Sequence, residues 1–324
     1  MKILYGINGT GIGHISKSNT IIKEILKLGI KVDVLLSGNN YNIDLPFLVK
    51  YRFKGISFIY TKNGSIDYIK SFKQSYFLDT IKNFNLDLSE YDLIISDFEP
   101  ITAWSSKLQK RKCIGISHQY SFLSYKSPRN NYSVLSEFIL KWFAPVKDYI
   151  GLHFEKYDNK ILHPVIRTDI TNSKSINMGY YLVYLPSYSL NYLISLLSDK
   201  KQKFEIYTKE VSEIVIIKNL IIKPSDIKTF SDSLLKCKGV ITSSGFETPS
   251  EALYLNKELM CIPIKGQYEQ ICNAESLKKL GVFCTNDIKD IDLFLSKNNK
   301  IKYNWENPLP NILDFILLNM KNNI

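Results

Sequence analysis

The chain has 324 residues, more than one hydrophobic core usually organises, so two domains are expected. Hydrophobic residues make up 45% and charged residues 23%, which excludes wholesale disorder, and no apolar run reaches the roughly 18–20 residues that cross a bilayer. A net charge of +11 suits an anionic surface, an acidic substrate or nucleic acid, or else reflects only a lysine-rich composition. The five cysteines (Cys113, Cys237, Cys261, Cys272, Cys284) show no C-x-x-C spacing, and the four histidines no H-x-x-x-H. That usage points to a reduced, cytoplasmic setting with buried thiols rather than to disulfides or a zinc site.

Short apolar runs alternate with amphipathic segments along the whole chain, the pattern of βα units on parallel sheets. Met1–Gly6 is too soon interrupted to be a secretory signal; Ile3–Ile7 reads as the first strand. A glycine loop, Asn8-Gly9-Thr10-Gly11-Ile12-Gly13-His14, leads into a helix with Ile15, Ile22, Ile25 and Leu26 on one side and Gly29 at its end. Lys31–Leu36 is the second strand, followed by the loop Ser37-Gly38-Asn39-Asn40. The loop spacing is G-x-G-x-G rather than G-x-G-x-x-G, and the second strand ends without the acid that holds a dinucleotide ribose. It also lacks the G-K-[ST] of a P-loop, so neither NAD nor a P-loop nucleotide is expected there.

Tyr91–Pro100 is an apolar strand ending in two acids, Asp97 and Glu99. The carboxyl ends of parallel strands face the cleft of an open α/β sheet, so either acid reaches the glycine loop, or caps the next helix instead. Lys112–His118 is another strand, with His118 and Gln119 at its cleft end. Ser121–Phe143 mixes Phe122, Tyr125, Tyr132, Trp142 and Phe143 with Lys126, Arg129 and Lys141. It reads either as a surface for lipid headgroups or an amphiphilic acceptor, or as a core-packed helix with a solvated loop. Tyr149–Phe154 is a strand and His163–Ser175 a linker. The second half brings strands at Tyr180–Leu185, Phe204–Thr208 and Glu213–Ile217, then Ile221–Thr229, and ends in an amphipathic helix around Asn311–Asn319. The tripeptide Asp290-Ile291-Asp292 reads as a surface helix rather than a metal motif.

The most informative stretch is Ile241–Gly281. An apolar strand runs into Ser243-Ser244-Gly245, a helix follows, then a short strand Leu259–Ile264 and a second helix from about Tyr268. A strand feeding a helix N-terminus makes an anion site, because unpaired N–H groups and the positive helix end face the turn. Gly245 allows close approach of a ligand. Thr248 is placed to cap the helix or bond a phosphate oxygen. Glu251 is placed to accept both hydroxyls of a ribose, while Glu269, Gln270 and Asn273 form a second polar cluster. The opposing reading makes Thr248 only a cap and these acids a solvated face.

In its ordered combination of Gly245, Glu251, the Glu269-Gln270 pair and Asn273-Ala274, the stretch resembles the donor signature of GT-B glycosyltransferases. The likeness is to the branch of the lipid-linked muramyl-pentapeptide N-acetylglucosaminyltransferase, the galactolipid synthases and the UDP-glucuronosyltransferases. The resemblance implies an α/β fold of two Rossmann-like domains with parallel sheets facing across a cleft. It implies an acceptor domain over 1–166, a nucleotide-sugar domain over 167–304, and a tail, 305–324, crossing back to the first. Ser244, Gly245, Phe246, Glu247 and Thr248 would hold the diphosphate, Glu251 the ribose, and Glu269, Gln270 and Asn273 the donor sugar. The base would be held near Ile222-Lys223-Pro224. Gly9, Gly11 and Gly13, with His118, would line the acceptor side. His14 would be the base, oriented by Asp97 or, second, Glu99; the positive helix end disfavours an imidazolium there. Many relatives carry His or Arg two residues before the glycine, where this chain has Ser243.

The implied reaction is inverting, metal-independent transfer of a hexose from a nucleotide sugar, a UDP-sugar first among them, to a glycan, lipid or small-molecule acceptor, with no cofactor beyond the sugar nucleotide. Peripheral attachment to the inner face of an anionic membrane is a further expectation, and nucleic acid is not expected as a partner. A nucleotide-sugar 2-epimerase shares the fold but carries an N-terminal G-T-R-P-E motif absent here. A non-catalytic basic binding protein is the other rival, and no nucleic-acid-reading motif supports it.

Overall fold

A computed structural model describes residues 1–38, 40, 45–55, 76–297 and 300–321. The first sheet consists of β1 (Lys2–Asn8), β2 (Lys31–Ser37), β3 (Val49–Phe53), β4 (Leu93–Asp97), β5 (Cys113–Ser117), β6 (Asp148–Leu152) and β7 (Ile161–Leu162). Its order is β3-β2-β1-β4-β5-β6-β7 and its pairings are parallel. The central strands β1, β2, β4 and β5 are buried on both faces, so their sequences are apolar runs without alternation.

The second sheet consists of β8 (Tyr180–Tyr184), β9 (Lys203–Thr208), β10 (Val215–Ile217), β11 (Leu220–Pro224), β12 (Gly239–Ser243), β13 (Glu258–Ile262) and β14 (Phe283–Cys284). Its order is β10-β11-β9-β8-β12-β13-β14. The edge pair β10–β11 is antiparallel, a hairpin on a sheet otherwise parallel. Ile214 and Ile216 are solvent-exposed there, so the apolar run Glu213–Ile217 is a short edge strand rather than a buried one. Two Rossmann-like sheets thus lie in one chain.

Strand order locates the clefts. In the first sheet the winding reverses between β1 and β4, and in the second between β8 and β12. Ligand crevices in open α/β sheets lie outside the carboxyl ends of the strands at such reversals. The helices that matter there are α1 (Ile12–Lys27), α2 (Pro100–Leu108), α3 (Val134–Trp142), α4 (Leu190–Leu197), α5 (Ile227–Lys236), α6 (Glu247–Tyr254), α7 (Tyr268–Lys279) and α8 (Leu309–Lys321).

Helix α1 buries Ile15, Ile21, Ile22 and Ile25 against the first sheet, whereas Leu26 faces solvent. Leu26 lies one step round the helix from that row, and Ile21 takes the place in the core that the sequence reading gave it. The stretch His163–Ser175 is no solvated linker either. Val165, Ile166 and Ile170 are buried in the core shared by both halves. Ile221–Thr229 divides into β11 and the start of α5, whose cap is Asp226 accepting from the Thr229 amide at 2.9 Å. Helix α8 packs on α1 and buries Ile312, Ile316 and Met320 in the same core. Lys112 donates to Asn319 O at 2.9 Å, and Trp305 Nε1 to Pro164 O at 2.8 Å, so the tail is tied to the first half by directional bonds as well.

Candidate active site

The turn after β4 sets up the first cluster. Phe98 adopts a left-handed conformation (φ 52°), costly for a bulky side chain, and Asn8 Nδ2 holds it by donating to Phe98 O at 3.1 Å. This kink separates two acids that follow one another closely in sequence. Asp97 turns to α1 and receives three donors. His14 Nδ1 lies 2.9 Å and Lys17 Nζ 2.7 Å from Oδ1, and Ser18 Oγ donates to Oδ2 at 2.7 Å. Residues 14, 17 and 18 share one helix face, so a single carboxylate serves all three. Burial pushes the Asp97 carboxyl up, but the Lys17 ammonium, the His14 ring and their hydrogen bonds outweigh it and hold the carboxyl well below its usual range.

Glu99, expected as an alternative partner for His14, is instead the N-cap of α2. It accepts from the Ile101 and Thr102 amides at 2.9 and 2.7 Å and from Ser37 Oγ at 2.7 Å, and is fully buried. The orphan amides of a helix start right behind it have first claim on its oxygens.

The other nitrogen of His14 faces Gln119. Gln119 Oε1 accepts from Ser117 Oγ at 2.5 Å, while its Nε2 donates to Glu269 Oε2 at 3.1 Å and stands 3.4 Å from His14 Nε2. The Glu269 carboxylate takes the amide's N–H side and the Ser117 hydroxyl its oxygen, so an N–H, not an oxygen, meets His14. His14 Nε2 then carries the lone pair and Nδ1 the proton that points at Asp97. Gln119 therefore links the two halves of the molecule through His14 and Glu269. Burial raises the Glu269 carboxyl, with Gln119, His14 and Lys17 opposing.

Beside this cluster a cavity of about 440 Å³ opens between the halves. Thr10, Gly11, Gly13 and Ser16 line it on one side, and Gly245–Pro249 with Thr242 and Ser243 on the other. Two helix N-termini meet there without side-chain caps, that of α1 at Gly11 and that of α6 at Phe246. Their unpaired amides and dipoles make the space attractive to an anion. A Cβ on Gly245 would find nothing nearer than Ser243 Oγ at 3.9 Å, so the turn is open to the cavity. Thr248 lines it and does not cap α6. The Glu247 carboxylate rests against α1, where a Cβ on Gly13 would fall 2.7 Å from its Cδ, so only glycine leaves room for it. The exposed Lys209 and the half-buried Arg167 add cations to its lining. Lys223 turns away to Glu205 at 2.8 Å, and Ser225 and Asp226, just beyond it, line the cavity instead.

Several expected donor ligands have turned inward. Glu251 lines the cavity but is buried, with Arg167 Nε on one oxygen at 2.6 Å and Arg167 Nη2 on the other at 3.0 Å. Gln270 accepts from the Ile264 amide at 3.0 Å. Ser244 is fully buried and donates to Gln270 O at 2.8 Å. Asn273 is fully buried as well, between Ser244 O at 3.1 Å and His118 Nε2 at 2.8 Å. These three hold the turn that leads to α6 and do not face the cavity. Gly9 is likewise committed to the loop after β2, its carbonyl accepting from Asn40 N at 3.0 Å; Asn39 of that loop lies outside the described residues.

His118 is a packing residue, not an open acceptor contact. Its ring stacks on Phe246 at 4.0 Å between centroids, across the two halves, and donates from Nδ1 to Leu152 O at 2.8 Å. Burial lowers its pKa to about 4. A neutral ring has no second proton for Asn273 Oδ1, so the Asn273 amide, turned over, supplies the N–H at the expense of its bond to Ser244. Asp292 pairs with Lys200 at 2.7 Å and Asp290 accepts from Thr285 Oγ1, both in surface structure; among the described residues no group of His, Cys, Asp and Glu is gathered as for a metal. The sequence reading missed Lys17, Gln119 as a bridge, Arg167 and Lys209. Of these Gln119 carried a signal, its place at the cleft end of a strand, and Lys17 a weaker one, its place one turn before Ile21 on α1.

Two Rossmann-like sheets with a cleft at their strand reversals, an open glycine turn at a helix start and a histidine on a buried acid define a GT-B glycosyltransferase. The sequence matches glycosyl transferase family 1 over residues 1–298, and the chain belongs to that family. Solved structures agree on the fold. The glycotransferase of kitacinnamycin has a TM-score of 0.61 at 11% identity, covering 99% of this chain and 95% of its own. UGT89C1 of Arabidopsis thaliana, complexed with UDP, has a TM-score of 0.57 at 12% identity, covering 99% and 93%. MurG of Acinetobacter baumannii has a TM-score of 0.55 at 12% identity, covering 98% and 99%. Among curated sequences nothing matches.

Proposed function

We propose that the protein transfers a hexose from a UDP-sugar to an acceptor hydroxyl with inversion, in one displacement and without a metal ion. The observation that carries this reading is His14, its Nδ1 on a buried ionised Asp97 and its Nε2 lone pair toward the Gln119 N–H at 3.4 Å, beside a cavity with an uncapped helix N-terminus. The diphosphate lies in the cavity against the amides of Gly245–Thr248, with Lys209 adding charge from the rim, and the nucleoside reaches toward Ser225, Asp226 and Glu251. The sugar end then meets His14, Gln119 and Glu269. His14 takes the proton of the acceptor hydroxyl, whose oxygen attacks the anomeric carbon from the face opposite the diphosphate. Asp97 stabilises the imidazolium that forms, and the helix end stabilises the departing diphosphate. A panel of sugar nucleotides tests the class: thermal stabilisation by UDP and one UDP-hexose, and an anomeric signal of inverted configuration in the product, are expected. Retained configuration, or conversion of donor alone to an epimer, contradicts the reading.

We also propose a cytoplasmic protein that rests on an anionic membrane. Its five cysteines are free thiols. On α3 the side chains of Val134, Leu135 and Phe138 are 75%, 66% and 60% exposed, with Tyr125 and Tyr132 beside them. Lys107 and Lys141 flank the Trp142 ring, while Glu137, the one acid of α3, turns inward to Arg129. An apolar helix face rimmed with cations fits anionic headgroups. Among the described residues no helix is long and apolar enough to span a bilayer. Cosedimentation with phosphatidylglycerol vesicles, lost on Phe138→Ser, is expected; equal binding to phosphatidylcholine contradicts the charge argument.

A further inference from the structure

Lys17 is 1% exposed, a degree of burial lysine almost never reaches without a partner. Its ammonium meets Asp97 Oδ1 at 2.7 Å, the same oxygen that faces His14 Nδ1 at 2.9 Å. Ser18 already serves the other oxygen, so the carboxylate does not need a lysine to complete its hydrogen bonds. What Lys17 supplies is charge. Among the described residues, the other groups facing His14 are anionic or neutral: Asp97 from β4, Glu247 of α6 against the adjoining Gly13, Glu269 of α7 through Gln119, Tyr5 of β1 near Asp97, and the buried ring of His118. Three carboxylates with no compensating cation favour the charged form of a neighbouring histidine over the form that accepts a proton.

We propose that Lys17 is a positioning residue for the transfer: a buried cation that keeps Asp97 ionised while offsetting its charge, so that His14 remains a free base. The proposal rests on the reading of His14 as the base. It also accounts for how an acid that orients the ring avoids over-stabilising its protonated form. Lys17 is buried and does not line the cavity, so its action passes through Asp97.

The test is the titration of the His14 ring by NMR, assigned through its loss in His14→Ala, together with the pH profile of kcat/KM on the full-length protein. In Lys17→Met the ring midpoint rises by about one pH unit or more, and the acid limb of the profile rises with it. Lys17→Arg, which keeps the charge, leaves both in place. An unmoved ring in Lys17→Met overturns the role of Lys17 alone. A ring that moves while the rate profile stays put removes His14 from proton transfer, and Lys17 with it. Should Lys17→Met fail to fold, Lys17→Met with Asp97→Asn leaves no unpaired buried charge. Its ring midpoint is expected within about half a unit of the unaltered protein, because the two charges cancel; a fall of a unit or more overturns the proposal.

Discussion

The two walls of the cleft handle polarity in opposite ways. On the first, Lys17, Ser18 and Asp97 are buried and, with His14, satisfy one another, and the second ring nitrogen of His14 meets only the Gln119 amide. On the second, the polar side chains of Ser244, Gln270, Asn273 and Glu251 are spent on the protein itself, and the turn opening α6 lines the cavity with its main chain uncapped. A proton-transfer group needs a defined tautomer, which only fixed side-chain partners give. A diphosphate needs several converging N–H donors, which a helix start supplies without any particular side chain.

That contrast is breakable from either side. His14→Ala strikes the first wall and is expected to lower turnover by about 10²–10⁴-fold while nucleotide affinity stays near that of the unaltered protein. Steady-state kinetics beside calorimetry would read both, and equal losses in turnover and affinity would merge the walls into one site. The second effect is on stability. Burial lowers the His118 pKa from 6.5 to about 4, so the unfolded chain takes up a proton that the folded ring refuses. Stability is therefore complete above about pH 6.5 and declines through pH 4, by about 3 kcal/mol for this ring, and His153, lowered in the same direction by burial, adds to the slope. Denaturant titrations across that window would show the fall, and a flat curve would contradict the buried neutral rings. The smallest effect separates inward from outward roles on the second wall. Asn273→Ala leaves Ser244 O or His118 Nε2 unpaired and should cost about 1–3 kcal/mol of stability with affinity for the UDP-hexose unchanged. Loss of affinity at unchanged stability would return Asn273 to the sugar.

How much of this was legible in the sequence follows from the same contrast. The strands, the glycine loop with His14, and the strand–turn–helix at Gly245 were readable because periodicity and glycine punctuation reflect backbone geometry. Asp97 was readable because acids at strand ends face the cleft. Choosing between Asp97 and Glu99 was not, since the choice turns on the left-handed kink at Phe98, where nothing in the residue type announces a positive φ. Glu251 and Asn273 suit sugar hydroxyls by residue type alone, but their partners, Arg167 and His118, lie 84 and 155 residues away. Arg167 was hidden in an apparent linker, whose apolar residues turn out to be core.

The central claim is that the amides just past Gly245 receive a diphosphate, and one substitution addresses it. Gly245 has an ordinary backbone angle and open space where a Cβ would point, so Gly245→Asp should fold as before yet set a carboxylate in the anion site. Calorimetric titration with UDP is predicted to show affinity reduced by about 30-fold or more at an unchanged melting temperature. UDP bound as tightly as by the unaltered protein would contradict the account.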